Sequence, residues 1–226
     1  VGARIDSLAD CLCFGNPQRP EIMGQFKSSC DALRDAATSI DVPYVSGNVS
    51  LYNETAEGAI PPTPVLMGIG LVDDIRKCVT SDLKNEGDIW LVGDNKQQLG
   101  ASLYYRTLGI NCPNVPTTDF DSFIPKMEQL IDAIESGEVV ACHDISTGGM
   151  ALAIIEMCMS GVGAEINLSG DMRADLELFN ESNGRWIVQV KPGLESEFSK
   201  RFDFAKKIGT VNENVKFVLN EKESII

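Results

Sequence analysis

The sequence predicts a mixed α/β (α+β) chain, and three observations carry that reading. Segments of strand-like composition alternate with segments of helical periodicity along the chain. Clusters of Gly, Pro, Asn, Asp and Ser punctuate the changeovers. With 226 residues and 43% apolar content, the chain has enough material for one large or two smaller domains with real cores.

Residues 5–12 read as a strand running into a Gly-Asn-Pro loop, so the chain is expected to enter mid-domain. Pro20 opens a helix, since a proline at the first helical position loses nothing. Ile22, Phe26, Cys30, Leu33 and Ala37 then recur at helical spacing as one buried stripe. Residues 43–46 make a short strand followed by a polar loop, and residues 65–72 a continuous apolar strand containing Gly68 and Gly70.

Residues 80–87 are polar and turn-rich, which places a domain boundary there. Beyond it the pattern predicts helices near 97–107, 120–136 and 147–160, with strands at 88–92, 138–142, 163–168, 185–190 and 205–211. In the third helix Met150, Ile154, Met157 and Cys158 form the apolar stripe. Ser146-Thr147-Gly148-Gly149 is read as an ordinary cap, with Gly149 packed against a strand. His143 and Asp144 precede that cap, but adjacent residues at a strand end point to opposite sides and form no acid–base dyad. The lone histidine is read as structural.

Composition excludes several function classes. A formal net charge of −14, with no clustered Lys and Arg, disfavours nucleic acid as a partner. Nucleotide phosphates stay open because a magnesium ion masks the repulsion. No apolar run reaches membrane-span length and no signal-like segment opens the chain, so a soluble, cytoplasmic protein is expected. The cysteines at 11, 13, 30, 78, 112, 142 and 158 contain no C-x-x-C pair, which argues for reduced thiols rather than disulfides or zinc. Cys11 and Cys13 share a face if their segment is extended, yet two soft ligands are few for a metal, and packing is the reading taken. The N-x-S/T strings at Asn48, Asn53, Asn167 and Asn180 carry no weight in a cytosolic protein.

The most informative stretch is residues 46–55, SGNVSLYNET, where small, amide and hydroxyl groups follow a short apolar run. Gly47 lets backbone N–H groups approach an anion, while Asn48 and Ser50 offer neutral oxygens to a hard cation or polar substrate. On residue chemistry alone the commoner reading is a turn in which Asn and Ser bond their own backbone. The string itself shifts the balance.

Residues 43–55, PYVSGNVSLYNET, resemble a signature of the formylglycinamide ribonucleotide amidotransferase family. Residues 10–17, DCLCFGNP, resemble that family's DCLNFGNP, and residues 60–64, IPPTP, with the strand after them, resemble its IxPTPV segment. Residues 142–151, CHDISTGGMA, resemble its HDISDGGLA helix start. The resemblance thins after about residue 190.

Membership of this family implies a PurM-like fold in the superfamily of aminoimidazole ribonucleotide synthetase. Residues 1–79 would be the C-terminal part of a second ATP-binding N-type domain, and residues 80–226 a complete synthase-like C-terminal domain. The implied reaction phosphorylates the formylglycinamide oxygen from ATP, and ammonia then displaces phosphate. By motif, Asp10 and Gly47 would contact ATP, Asn48 would ligate Mg2+ through its amide oxygen, and Ser50 would hydrogen-bond the ribonucleotide substrate.

The family keeps its catalytic histidine, ATP-contacting lysine and acidic metal ligands in an N-terminal half, so this chain is expected to be inactive alone. No glutaminase nucleophile motif is visible, which implies a separate glutaminase subunit and a small bridging subunit. Cys13 stands where the family usually has Asn, so the polar contact of that position does not carry over to this chain. Residues 178–183, LFNESN, resemble an LFxESQ segment with Asn183 in place of Gln, and they are left out of the site. Two other readings compete: an aminoimidazole ribonucleotide or selenophosphate synthetase, which lacks SGNVSLYNE, and a catalytically silent scaffold, which need not keep Asp10, Gly47, Asn48 and Ser50 together.

Overall fold

The computed structural model describes residues 1–170, 172–213, 217–219 and 222–224. The end of the 80–226 segment lies outside the described residues. The chain divides into two compact units, one of residues 3–73 and one of residues 1–2 with 74–226.

In the smaller unit β1 (Arg4–Cys13) is the centre of a three-stranded sheet, with β2 (Tyr44–Ser50) parallel on one side and β5 (Thr63–Leu71) antiparallel on the other. A parallel neighbour needs a crossover, and α1 (Pro20–Ser39) supplies it. The strand alternates: Leu8, Leu12 and Phe14 are buried, and Leu12 and Phe14 pack with Ile22 of α1. Phe26, Cys30 and Leu33 continue that stripe, with the Phe14 and Phe26 rings edge-on at 5.1 Å. The opposite face of α1 carries the Lys27–Asp31 and Arg34–Asp31 ion pairs.

The sequence expectation of a loop from residue 46 is corrected here. Residues 46–50 continue β2, because Ser46, Gly47, Asn48, Val49 and Ser50 pair in register with Ala9 through Cys13. The turn is confined to the next residues, where Tyr52 takes φ +62 and a small hairpin of β3 (Glu54–Thr55) and β4 (Gly58–Ala59) follows.

The larger unit is built on a seven-stranded sheet in the order β12-β11-β8-β10-β6-β9-β7. Its strands are β6 (Asp88–Val92), β7 (Val139–Asp144), β8 (Gly163–Ile166), β9 (Trp186–Val190), β10 (Lys206–Asn212), β11 (Phe217–Leu219) and β12 (Lys222–Ser224). Within this sheet the β11–β8 pair is parallel and the other pairings of its described strands are antiparallel. The helices are α2 (Leu103–Thr107), α3 (Phe120–Glu135), α4 (Gly149–Cys158), α5 (Ala174–Phe179) and α6 (Glu195–Arg201). The mixed α/β class predicted from the sequence is the one observed.

Strand alternation assigns each side of this sheet its own core. Ile89, Leu91 and Ile187 pack on one side with Met150, Ile154 and Met157 of α4. Val92, Val188 and Val190 pack on the other with Leu130, Ala133 and Ile134 of α3 and Phe198 of α6. The helix expected over 97–107 shrinks to five residues for a local reason. Ala101 sits at φ +61 and Gly100 donates its N–H to Asn114 O at 2.8 Å, so helix begins only after Ser102, whose Oγ accepts from Tyr105 N. The short helices α5 and α6 were not predicted, because six or seven residues hold too few repeats to show a period.

The start of α4 also departs from expectation. Neither Ser146 nor Thr147 caps it; Gly148, at φ +83, occupies the cap position, and its N–H donates to Glu181 Oε1 at 2.8 Å. Gly149, at φ +68, packs against backbone at the end of α5 rather than a strand: an added Cβ would lie 2.6 Å from Leu178 O and 2.7 Å from Asn180 O. Backbone cannot swing aside as a side chain can. Gly149→Ala is therefore expected to cost about 2–4 kcal/mol, read as a lower urea midpoint with an unchanged m-value.

On the rim of this unit Asp175 accepts from Tyr104 OH at 2.6 Å and from Arg173, and both interactions hold its carboxyl well below the ordinary value of 3.8. A depressed carboxylate stabilises the fold fully above its unfolded pKa and less as pH falls through that value. Asp175→Asn should accordingly lower thermal stability near neutrality and converge with the parent at low pH, so that the acid limb of the profile flattens below about pH 4.

Candidate functional site

The residues singled out by sequence converge on the β1–β2 pair, and the register sorts them. Asp10 lies opposite Gly47, Cys11 opposite Asn48 and Cys13 opposite Ser50. Because side chains alternate, the two pairs of predicted contacts fall on opposite faces of the sheet. Asp10 and Gly47 belong to the face that carries Leu12 and α1, whereas Asn48 and Ser50 belong to the face that carries Cys11 and Cys13.

On the first face a Cβ at Gly47 would stand 2.7 Å and 2.9 Å from the Asp10 carboxylate oxygens, so a larger residue would push the Asp10 carboxylate aside. Asp10 lines a cleft of about 600 Å³ with Leu12, Leu33, Arg34, Val42 and Tyr44. Burial and the nearby Asp10 carboxylate push the Tyr44 phenol up. The sequence reading missed Tyr44, whose place opposite Leu8, two residues from Asp10, is set by a strand register that residue spacing does not reveal.

On the second face Asn48 is exposed and its Nδ2 donates to Cys11 Sγ at 3.5 Å. That contact leaves the Oδ1 oxygen for a ligand. Ser50 is fixed more tightly. Asn53 Nδ2 donates to Ser50 O at 2.8 Å and Phe14 O at 3.0 Å, and Asn53 lies within hydrogen-bond reach of the Ser50 hydroxyl. Asn53 thus ties the start of the turn to the end of β1, a positioning role that sequence reading did not give it.

A magnesium ion fits this face only in part. Asn48 offers one neutral oxygen, and among the described residues no group of three His, Cys, Asp or Glu side chains could hold a metal. One amide oxygen suits an ion that keeps its waters and binds phosphate, with the acidic ligands supplied from elsewhere.

In the larger unit the LFNESN segment is densely hydrogen-bonded. Glu181 Oε1 accepts from Gly148 N and Leu103 N, each at 2.8 Å, joining the starts of α4 and α2. Asn180 and Ser182 are fully buried, and Ser182 Oγ donates to Lys96 O at 2.8 Å. Arg185, 1% exposed, donates to Ser182 O, Asn180 O and Asn95 Oδ1. His143 Nε2 lies 3.1 Å from Glu156 Oε2, while its Nδ1 lies 2.7 Å from Asp144 O and 3.7 Å from Asp144 Oδ1, so the two neighbouring side chains do not point fully apart as the strand reading expects.

The chain matches two family models. Residues 1–72 match "AIR synthase related protein, N-terminal domain", and residues 99–221 match "AIR synthase related protein, C-terminal domain". The chain belongs to the AIR synthase related family. Within that family it is 43% identical over 211 residues to the phosphoribosylformylglycinamidine synthase subunit PurL of Methanothrix thermoacetophila, covering 88% of this chain and 27% of that protein. The chain spans about a third or less of the length of such curated relatives.

Two solved structures show the AIR synthase related fold. PurL of Thermotoga maritima complexed with AMPPCP superposes with a TM-score of 0.75 at 21% identity, covering 99% of this chain and 37% of that one. The Thermotoga maritima PurLQS structure gives 0.73 at 20% identity, with 100% and 37% covered. Among the described residues no helix is long and apolar enough to cross a membrane.

Proposed function

We propose that this chain is part of an ATP-dependent formylglycinamide ribonucleotide amidotransferase of purine biosynthesis, in which it supplies one wall of a composite ATP, magnesium and substrate site. Asp10 and Gly47 contact ATP, Asn48 ligates Mg2+, and Ser50 hydrogen-bonds formylglycinamide ribonucleotide. The observation that carries this is the pairing of the SGNVS strand alongside the DCLC strand in a chain 43% identical to PurL of Methanothrix thermoacetophila. Residues 1–79 close an ATP-binding-type domain and residues 80–226 form the synthase-like domain that follows, in a cytoplasmic enzyme.

Phosphoryl transfer rests mostly on positioning and charge neutralisation. Magnesium, when bound, neutralises charge on the phosphates. The chain's own part is narrower. The absence of a side chain at Gly47 keeps Asp10 in place on one face, and the Asn53 clamp holds the Ser50 hydroxyl on the other. The remaining catalytic groups come from the N-terminal half of the same enzyme, and ammonia from a glutaminase subunit joined by a small bridging subunit.

The test is turnover in the full-length protein that contains this chain. Formylglycinamide ribonucleotide, ATP and ammonia should yield the amidine with ADP and phosphate. Use of ATP with a different acceptor only would reject the assignment.

A further inference from the structure

The face of β1 that carries Asn48 and Ser50 across the strand gap also carries two thiols. Cys11 and Cys13 are both half-buried, and their sulfurs stand 3.9 Å apart. With metal–sulfur bonds of about 2.3 Å, two thiolates at that separation subtend roughly 115° at a shared ion, close to tetrahedral. The spacing needs almost no adjustment.

The pair is also held in place. β1 is the central strand, so Cys11 is flanked by Asn48 and Val65, and Cys13 by Ser50 and Thr63. The Asn48 amide already contacts Cys11 Sγ, and rotation of that amide would present Oδ1 to an ion seated between the sulfurs. We propose that Cys11 and Cys13 form a binding site for one thiophilic d10 ion of the Zn2+ or Cd2+ class, with Asn48 as a third ligand and water completing the coordination. Soft thiolates select such ions over the magnesium that an amide oxygen alone would take.

The other thiols compete poorly where they are buried: burial pushes Cys142 up to about 12 and Cys158 up to about 11.

The test is a Cd2+ titration of the reduced chain without ATP, magnesium or substrate, followed by thiolate-to-cadmium absorption. Its outcome is thus independent of the ligase assignment. The band should saturate at one equivalent in the parent and in Cys30→Ser, vanish in Cys11→Ser and Cys13→Ser, and need roughly tenfold more Cd2+ in Asn48→Ala. Peptide mapping of the parent after alkylation, which requires no variant to fold, should show Cd2+ protecting Cys11 and Cys13 together. Absence of a saturating band, its survival in both serine variants, or alkylation of the two thiols unchanged by Cd2+ would overturn the site.

Discussion

Arg185→Met is expected to destabilise the larger unit by about 3 kcal/mol. The guanidinium is almost wholly buried, and the acceptors Ser182 O, Asn180 O and Asn95 Oδ1 are neutral. Burial lowers its pKa to about 10, which still leaves it charged at neutral pH. Methionine fills much of the same volume but donates nothing, so three oxygens lose a donor in a closed environment. Each unsatisfied group costs about 1–3 kcal/mol, and the desolvation returned by removing a charge offsets part of that sum. Urea unfolding should show a lower midpoint at constant m-value, and Arg185→Lys should not restore it, because an ammonium cannot span the same fork. A midpoint unchanged in Arg185→Met would mean that the network does not stabilise this unit.

Asn48→Ala should have the opposite profile, large in activity and small in stability. Asn48 is exposed and its side-chain hydrogen bond to Cys11 Sγ is long, so the fold should hold within about 0.5 kcal/mol. In the full-length enzyme the variant should lose roughly 10–100-fold in turnover and need more magnesium to reach half its maximal rate. Loss of rate without a shift in magnesium dependence would move Asn48 from ligand to substrate contact.

These two expectations mark where sequence reading succeeded and where it stopped. The helix over Pro20–Ser39 and the core strands were legible because their apolar residues repeat at the right period over enough residues. The motif at residues 46–50 was legible as a string but not as a strand. Glycine, asparagine and serine favour turns locally, whereas pairing with β1 on one edge holds them extended. That difference decides the geometry, since only a strand sends Gly47 and Asn48 to opposite faces.

The Arg185 network was hidden for another reason. Its members Asn95, Lys96, Asn180, Ser182 and Arg185 are polar residues in two segments far apart in sequence, and polar composition ordinarily signals exposure. Nothing in residue spacing reveals that the sheet end gathers them into one buried cluster. The Asn53 clamp was hidden by scale, as it depends on a turn with Tyr52 at positive φ that neighbouring residues do not dictate.

The central claim is that this chain is one wall of a composite site. The most direct measurement combines the purified chain with the separately produced N-terminal half of the enzyme and follows ATP- and ammonia-dependent formation of formylglycinamidine ribonucleotide. Amidine should form only when both pieces are present. Turnover by this chain alone, with the same dependence on ATP, would contradict it.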